Sequence, residues 1–269
     1  MSQPARPLTG VQYWEDVWRG SGRGATDTGL AWVKRSYAYT SLDRLLRAAL
    51  PADPTRSCLE LGSGPGRWLV YFHRTFGYRV SGVDYSETSC RLARSTLAAA
   101  GVDGTIIQGD FFRLRGRWDV VFSAGVVEHF DDPEPVLRAF ADLVAPGGYL
   151  VTDVPNLTAL NGAYRRVLRP ETFETHRPIS LAELRGWHRA LGLEEVLATG
   201  YGSVCMTRVP ADAFDAWPRV RRLWRAAYGV ASGSLNQVCL ALLRRGIRID
   251  HPWISPHLLV VSRRHGAGG

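Results

Sequence analysis

Between residues 56 and 155 the spacing of apolar positions switches repeatedly between that of a buried strand and that of an amphipathic helix. Residues 56–61 are a short apolar run of strand length, and residues 67–76 follow at helical spacing. The alternation continues with a strand over 79–83, a helix over 86–100 capped by Ser86 with Glu87 in its first turn, and a strand over 105–108. Residues 118–124 predict another strand, 133–144 a helix, and 148–154 a strand entered through a Pro146-Gly147-Gly148 turn. Beyond them lie a helix over 180–191 and strands over 193–199 and 257–262. Seven strands alternating with helices predict an α/β fold, a doubly wound and mostly parallel sheet covered on both faces, with ligands at the carboxyl ends of the strands.

The flanks of this core have their own pattern. Tyr13, Trp14, Val17 and Trp18 recur at helical spacing ahead of a glycine-rich stretch, 20–29, so a short helix and a loop are expected there, suited to act as a lid. Residues 33–50 predict a second helix, stopped by Pro51. Some 55 residues, 201–255, separate the last two strands, more than a loop requires. Within them Val220, Leu223, Trp224, Ala227 and Tyr228, and then Leu235, Val238, Cys239, Leu242 and Leu243, predict two amphipathic helices flanked by arginines. The expected organisation is an N-terminal helical lid (1–50), a core (51–200), a helical insert or substrate cap (201–255), and a final strand and tail (256–269).

Composition narrows the partners. A net charge of +8 raises nucleic acid and anionic membranes as candidates, yet Lys34 is the only lysine and the arginine excess accompanies a general Ala and Gly bias. Nucleic acid is therefore not the expected partner, while weak contact of the arginine-flanked insert with a membrane surface, or with a lipid-like or anionic substrate, fits it. Cys58, Cys90, Cys205 and Cys239 are far apart, without a zinc spacing, which suggests reduced thiols in a cytoplasmic protein. The N-terminus has no apolar core like that of a signal peptide, and no window reads as a membrane span of about 18 apolar residues, so no transmembrane segment is expected.

The strongest chemical signal is Glu60-Leu61-Gly62-Ser63-Gly64-Pro65-Gly66-Arg67 at the end of the first strand. Alternating glycines allow a tight strand-to-helix turn with close backbone approach to a ligand, and Glu60 offers a carboxylate. A dinucleotide fingerprint would need glycine at Arg67, so the pattern is G-x-G-x-G rather than G-x-G-x-x-G. Asp84 ends the second strand, where a carboxylate can take both hydroxyls of a ribose. Gly109-Asp110-Phe111 ends the third strand, and Pro146-Gly147-Gly148 leads into the fifth.

In that order these motifs resemble the class I S-adenosylmethionine-dependent methyltransferases, over roughly residues 55–155. The resemblance implies a Rossmann-like core with S-adenosylmethionine as cofactor. Gly62, Gly64 and Gly66 would accommodate its methionine and ribose, Asp84 its ribose, and Asp110 and Phe111 its adenine, with Glu60 acting on the ammonium through backbone or water. Val127-Glu128-His129 is similar to the Glu-His of ubiquinone-pathway O-methyltransferases and RNA-terminal methyltransferases. In those a carboxylate three residues before the Glu helps bind a divalent metal; Gly125 stands there in this chain, so no metal is expected.

Methyl transfer from a sulfonium is an in-line displacement that chiefly needs the acceptor aligned about 3 Å from the methyl carbon in a dry site. A hydroxyl acceptor also benefits from a base, for which His129, after the fourth strand, is the first candidate and His176, before the helix over 180–191, the second. The expected activity is transfer to a small-molecule acceptor, on oxygen. An RNA or protein methyltransferase is the alternative, although no Asp-Pro-Pro-Tyr-like motif follows the fourth strand, and a non-catalytic module that only binds S-adenosylmethionine is a third reading.

Overall fold

The computed structural model describes residues 5–20, 29–202 and 218–266. Strands β1 (Ser57–Leu61), β2 (Arg79–Asp84), β3 (Gly104–Gln108), β4 (Trp118–Ala124), β5 (Val144–Pro155), β6 (Leu193–Tyr201) and β7 (His257–Arg264) form one sheet in the order β3-β2-β1-β4-β5-β7-β6. All pairings are parallel except those of β7, which runs antiparallel to both β5 and β6. Strand order reverses between β1 and β4, and their carboxyl ends therefore open a crevice at the sheet's edge.

The helices are α1 (Val11–Gly20), α2 (Ala31–Arg35), α3 (Tyr37–Ala49), α4 (Arg67–Phe76), α5 (Glu87–Ala100), α6 (Pro133–Asp142), α7 (Leu160–Leu168), α8 (Thr172–Thr175), α9 (Leu181–Ala190) and α10 (Pro218–Arg244). Successive strand residues point to opposite faces, so each central strand feeds two cores. Cys58, Phe122, Val151 and Val261 pack with Leu42, Leu46, Leu69 and Phe72 of α3 and α4. Leu59, Val121, Leu150 and Val260 pack with Leu137, Phe140 and Leu184 of α6 and α9. Both faces being covered, these strands read as continuous apolar runs rather than alternating ones.

Local chemistry fixes the helix starts. Ser86 Oγ accepts from the Ser89 N–H ahead of α5, Asp132 caps α6 with Pro133 behind it, and Ser180 and Glu183 form a reciprocal capping box at α9. Three expectations change. The helix expected over 33–50 is broken at Ser36, whose extended backbone (φ −117°, ψ 131°) separates α2 from α3. The Pro146-Gly147-Gly148 turn is a bulge inside β5, where Trp118 pairs with Val144 but Val120 pairs with Tyr149, and Gly147 takes φ +74°. The two helices of the insert are one 27-residue helix, α10. Gly229 and Gly233 cost about 1 kcal/mol each relative to alanine but leave the hydrogen-bond ladder whole.

The second half of α10 is anchored on α3. Cys239, Leu240 and Leu243 are buried with Tyr37 of α3, Asn236 Oδ1 accepts from the Tyr37 N–H at 2.8 Å, and Arg44 donates to the Leu243 carbonyl at 2.6 Å. Toward its start, Leu223 and Val230 are 72% and 69% exposed. The expectation of no apolar span is corrected here: residues 222–244 are long and apolar enough to cross a membrane by length and composition, with a mean hydropathy of 1.3. Serine, glycine, asparagine and glutamine make the stretch read as interrupted, yet residues 226–243 contain no charge. The expected loop after α1 lies largely outside the described residues, as do Cys205 and the start of the insert.

Candidate active site

A cavity of about 330 Å3 occupies the crevice, roofed by α1. Its first wall is the glycine turn, in which Gly62 and Gly66 adopt φ of +72° and +89°. Glycine is required here mainly by protein neighbours. A Cβ on Gly66 would lie 2.9 Å from the Ala93 Cα of α5, and one on Gly64 would collide with Ser89. Gly62 and Gly64 line the cavity, whereas Gly66 is buried and is not among its lining residues.

Glu60 also lines it, 2% exposed, and its Oε2 has no hydrogen-bond partner. Burial pushes its carboxyl pKa well up, and the nearby Arg67 charge pulls the other way. A buried carboxylate oxygen without a donor is costly on its own and fits an ammonium supplied by a ligand. Asp84 is built into its own turn: Oδ1 accepts from the Ser86 N–H at 2.9 Å, and Oδ2 accepts from Ser89 Oγ at 2.6 Å and from the Gly64 N–H at 3.4 Å. Burial raises its pKa and those bonds lower it. Phe111 and Gly109 line the cavity beyond β3, while Asp110 does not: it is exposed, and its Oδ1 accepts from the Phe112 N–H at 2.9 Å as the cap of a short turn.

The roof is fastened at both ends. Leu8 N–H donates to the His129 carbonyl at 2.7 Å, and Glu15 of α1 accepts from Ser86 Oγ (2.8 Å), Thr88 Oγ (2.6 Å) and the Thr88 N–H (3.3 Å). These bonds lower the Glu15 pKa to about 2. Trp14 and Trp18, carried on the same helix, line the cavity, and Trp14 meets the His129 ring edge to face at 4.9 Å.

The far wall comes from β4, β5, β6 and β7. His129 Nδ1 donates to the Thr175 carbonyl at 2.7 Å, which assigns the proton there and leaves Nε2 an acceptor. Burial, helped by the neighbouring His176, lowers its pKa to about 4, so the ring is neutral. His176 lies 4.3 Å behind it, Nδ1 donating to the Thr172 carbonyl at 3.0 Å, and does not line the cavity. Ligand atoms of Glu128, His129 and His176 all lie within 4.8 Å of one another. Both Nδ1 atoms are anchored on carbonyls, Glu128 Oε2 has no partner, and burial pushes the Glu128 pKa to about 8. The three residues thus fit a divalent cation. The expectation of no metal counted only the local carboxylate missing at Gly125; His176 arrives from 47 positions beyond His129.

Three further lining residues escaped the sequence. Tyr201 OH donates to Asp153 Oδ2 at 2.9 Å, His257 Nδ1 lies 3.6 Å from Asp153 Oδ1, and the His257 ring stacks on Tyr201 at 5.1 Å. Asp153 was within reach, since it sits at the carboxyl end of β5 as Asp84 does at the end of β2. Tyr201 and His257 meet only through the antiparallel register of β6 and β7.

Comparison with known proteins agrees with this geometry. A family described as a methyltransferase domain matches residues 32–198. The ubiquinone biosynthesis O-methyltransferase of Thiobacillus denitrificans is 33% identical over 166 residues, 57% of this chain and 71% of the relative. The protein-lysine N-methyltransferase EFM4 of Saccharomyces cerevisiae is 31% identical over 130 residues, 44% of this chain and 57% of the relative. A chain from the complex between the Haloferax volcanii Trm112 methyltransferase activator and a methyltransferase has the same fold, with a TM-score of 0.59 and 20% identity, over 93% of this chain and 97% of that one. With the domain match covering more than half of its length, and the glycine turn, Asp84 and the unpartnered Glu60 on one wall, the chain belongs to the class I S-adenosylmethionine-dependent methyltransferases.

Proposed function

We propose that the enzyme transfers a methyl group to a hydroxyl oxygen of a small-molecule acceptor. The observation that carries this reading is the cavity itself: about 330 Å3, roofed by α1, with Arg67 the only arginine or lysine among its described lining residues. That volume is at the small end of ligand pockets, and a nucleic-acid groove would be open and lined with cations.

Bound there, S-adenosylmethionine supplies a methyl group on a positively charged sulfur, open to in-line attack. Glu60, Gly62, Gly64, Asp84 and Phe111 hold it on the β1 to β3 side, which leaves the β4 to β7 side for the acceptor. Trp14 and Trp18 exclude water from above. His129 presents an unprotonated Nε2 and receives the hydroxyl proton, and His176 positions the His129 ring from behind. With a divalent cation held by Glu128, His129 and His176, His129 Nε2 would be a ligand instead of the base, and the cation would supply a Lewis acid at that place. Residues 1–50 are the lid segment, of which α1 roofs the cavity while α3 also packs on the sheet, 51–200 are the core, and 201–255 are an insert in which the exposed Leu223 and Val230 of α10 suit contact with a membrane surface. The three described cysteines are free and buried, in keeping with a cytoplasmic site.

The test is methyl incorporation from labelled S-adenosylmethionine into a panel of phenols and aliphatic alcohols, with peptides and RNA alongside. Labelling of peptide or RNA but no small hydroxyl would overturn the proposal. His129→Ala is expected to lower kcat by about 10²- to 10⁴-fold while leaving S-adenosylhomocysteine affinity unchanged, and full activity would remove His129 as the base.

A further inference from the structure

Arg67, the first residue of α4, stands where a dinucleotide site would have its third glycine, and it lines the cavity. Its guanidinium is caged by three aromatic rings, 5.1 Å from Trp32, 5.0 Å from Tyr39 and 5.5 Å from Trp68. The rings brace one another edge to face, Trp32 against Tyr39 at 4.8 Å and against Trp68 at 5.0 Å. Nη2 donates to Tyr39 OH at 2.9 Å; among the described residues, Nε and Nη1 have no acceptor and no carboxylate forms an ion pair with the group. A planar cation fixed by stacking, with donors left over on a residue that lines a cavity, is a preorganised carboxylate receptor.

The charges around it have the same logic. Glu60, Asp84 and Asp153 line the cavity, so a ligand bearing cations and one anion would find three carboxylates and a single guanidinium. Glu60 is the complementary half. It is buried beside the same turn with an unpartnered oxygen, and it feels the Arg67 charge without being in contact with it. Two opposite charges that share a field but do not pair leave room for a zwitterion between them.

We propose that Arg67 binds a carboxylate in this cavity, that of the amino-acid end of S-adenosylmethionine, while Glu60 takes the ammonium of the same end. The assignment rests on the methyl donor and is independent of which acceptor the enzyme uses. A carboxylate on the acceptor would offer the same chemistry, and the choice of probes separates the two sources.

The experiment is titration calorimetry of wild type, Arg67→Met and Arg67→Lys with S-adenosylhomocysteine and with 5′-methylthioadenosine. The second ligand keeps the nucleoside and a thioether sulfur but lacks the ammonium and carboxylate. Arg67→Met should weaken S-adenosylhomocysteine ten- to hundredfold and leave methylthioadenosine within twofold, with Arg67→Lys between it and wild type because it keeps charge without the planar fork. Methylthioadenosine also reports that each variant is folded. Equal loss of both ligands would make Arg67 a structural part of the cage and overturn the proposal. Unchanged S-adenosylhomocysteine affinity would overturn it too, leaving the arginine for the acceptor's carboxylate. Wild type binding neither ligand would remove the methyl-donor reading along with it.

Discussion

Asp84 holds three hydrogen bonds from its own turn before any ligand arrives, and they tie the glycine loop (Gly64) to the start of α5 (Ser86, Ser89). A ribose bound there meets a carboxylate already fixed in place, so little ordering has to accompany binding. Asp84→Asn keeps the shape but loses the charge and one acceptor oxygen. It should weaken S-adenosylhomocysteine at least tenfold, about 1.4 kcal/mol, in a calorimetric titration; an unchanged constant would mean that the residue only builds the turn. At this scale legibility depended on sequence distance. Glu60, Gly62, Gly64 and Asp84 could be placed at the cavity because each lies at or just after the end of a strand, where the fold puts ligands, whereas Gly66 is buried behind it. Asp110 sits at such an end too, but a competing local bond to the Phe112 N–H turns it into a cap. Asp153 also sits at such an end, whereas Tyr201 and His257 reach it through strand pairing over some fifty to a hundred positions, which no local pattern encodes.

Among the elements, α1 shows how a short helix with little burial is held over a site. Its one buried residue is charged: Glu15 inserts between Ser86 and Thr88 at the start of α5, where peptide N–H groups favour an anion. Because its pKa is lowered to about 2, the latch is complete above the ordinary carboxylate range, near 4.5, and is lost only as pH falls toward 2. Glu15→Gln should release the lid at neutral pH. Amide hydrogen exchange in residues 11–20 is expected to speed up at least tenfold, and KM for S-adenosylmethionine to rise more than kcat falls. Unaltered exchange in α1 would show that the bridge from Leu8 to His129 and the tryptophan contacts suffice. The helical period of α1 was legible, whereas its latch was not, since a polar residue on an amphipathic helix reads by default as solvated. The same limit explains α10, where periodicity located the helical turns but could not show that two glycines leave them continuous.

For the whole molecule, alternating strand and helix signals were enough to place the sheet, because a parallel sheet leaves a strong imprint of continuous apolar strands between amphipathic helices. The antiparallel direction of β7 is not part of that imprint, and it is β7 that seals the core at Ser262. There His188 of α9 is buried between Thr152 and Ser262, Nε2 at 3.1 Å from one hydroxyl oxygen and Nδ1 at 3.0 Å from the other. Each hydroxyl can donate or accept, so the neutral ring is satisfied in either tautomer, and burial lowers its pKa from 6.5 to about 4. The unfolded chain therefore takes up this proton first on acidification. Stability from the neutral ring is fully present above pH 6.5 and lost as pH falls toward 4, by at most about 3 kcal/mol. The overall acid profile will not show this plainly: His129 and His176 act in the same direction, while Glu60, Asp84 and Glu128, with raised pKa values, oppose them. The difference between wild type and His188→Gln isolates the ring, since every other group titrates in both. Urea unfolding at pH 7 and at pH 4 should show wild type losing up to about 3 kcal/mol more than the variant between the two. Parallel losses would mean that the folded protein admits the proton, through water or through movement of α9 away from β7.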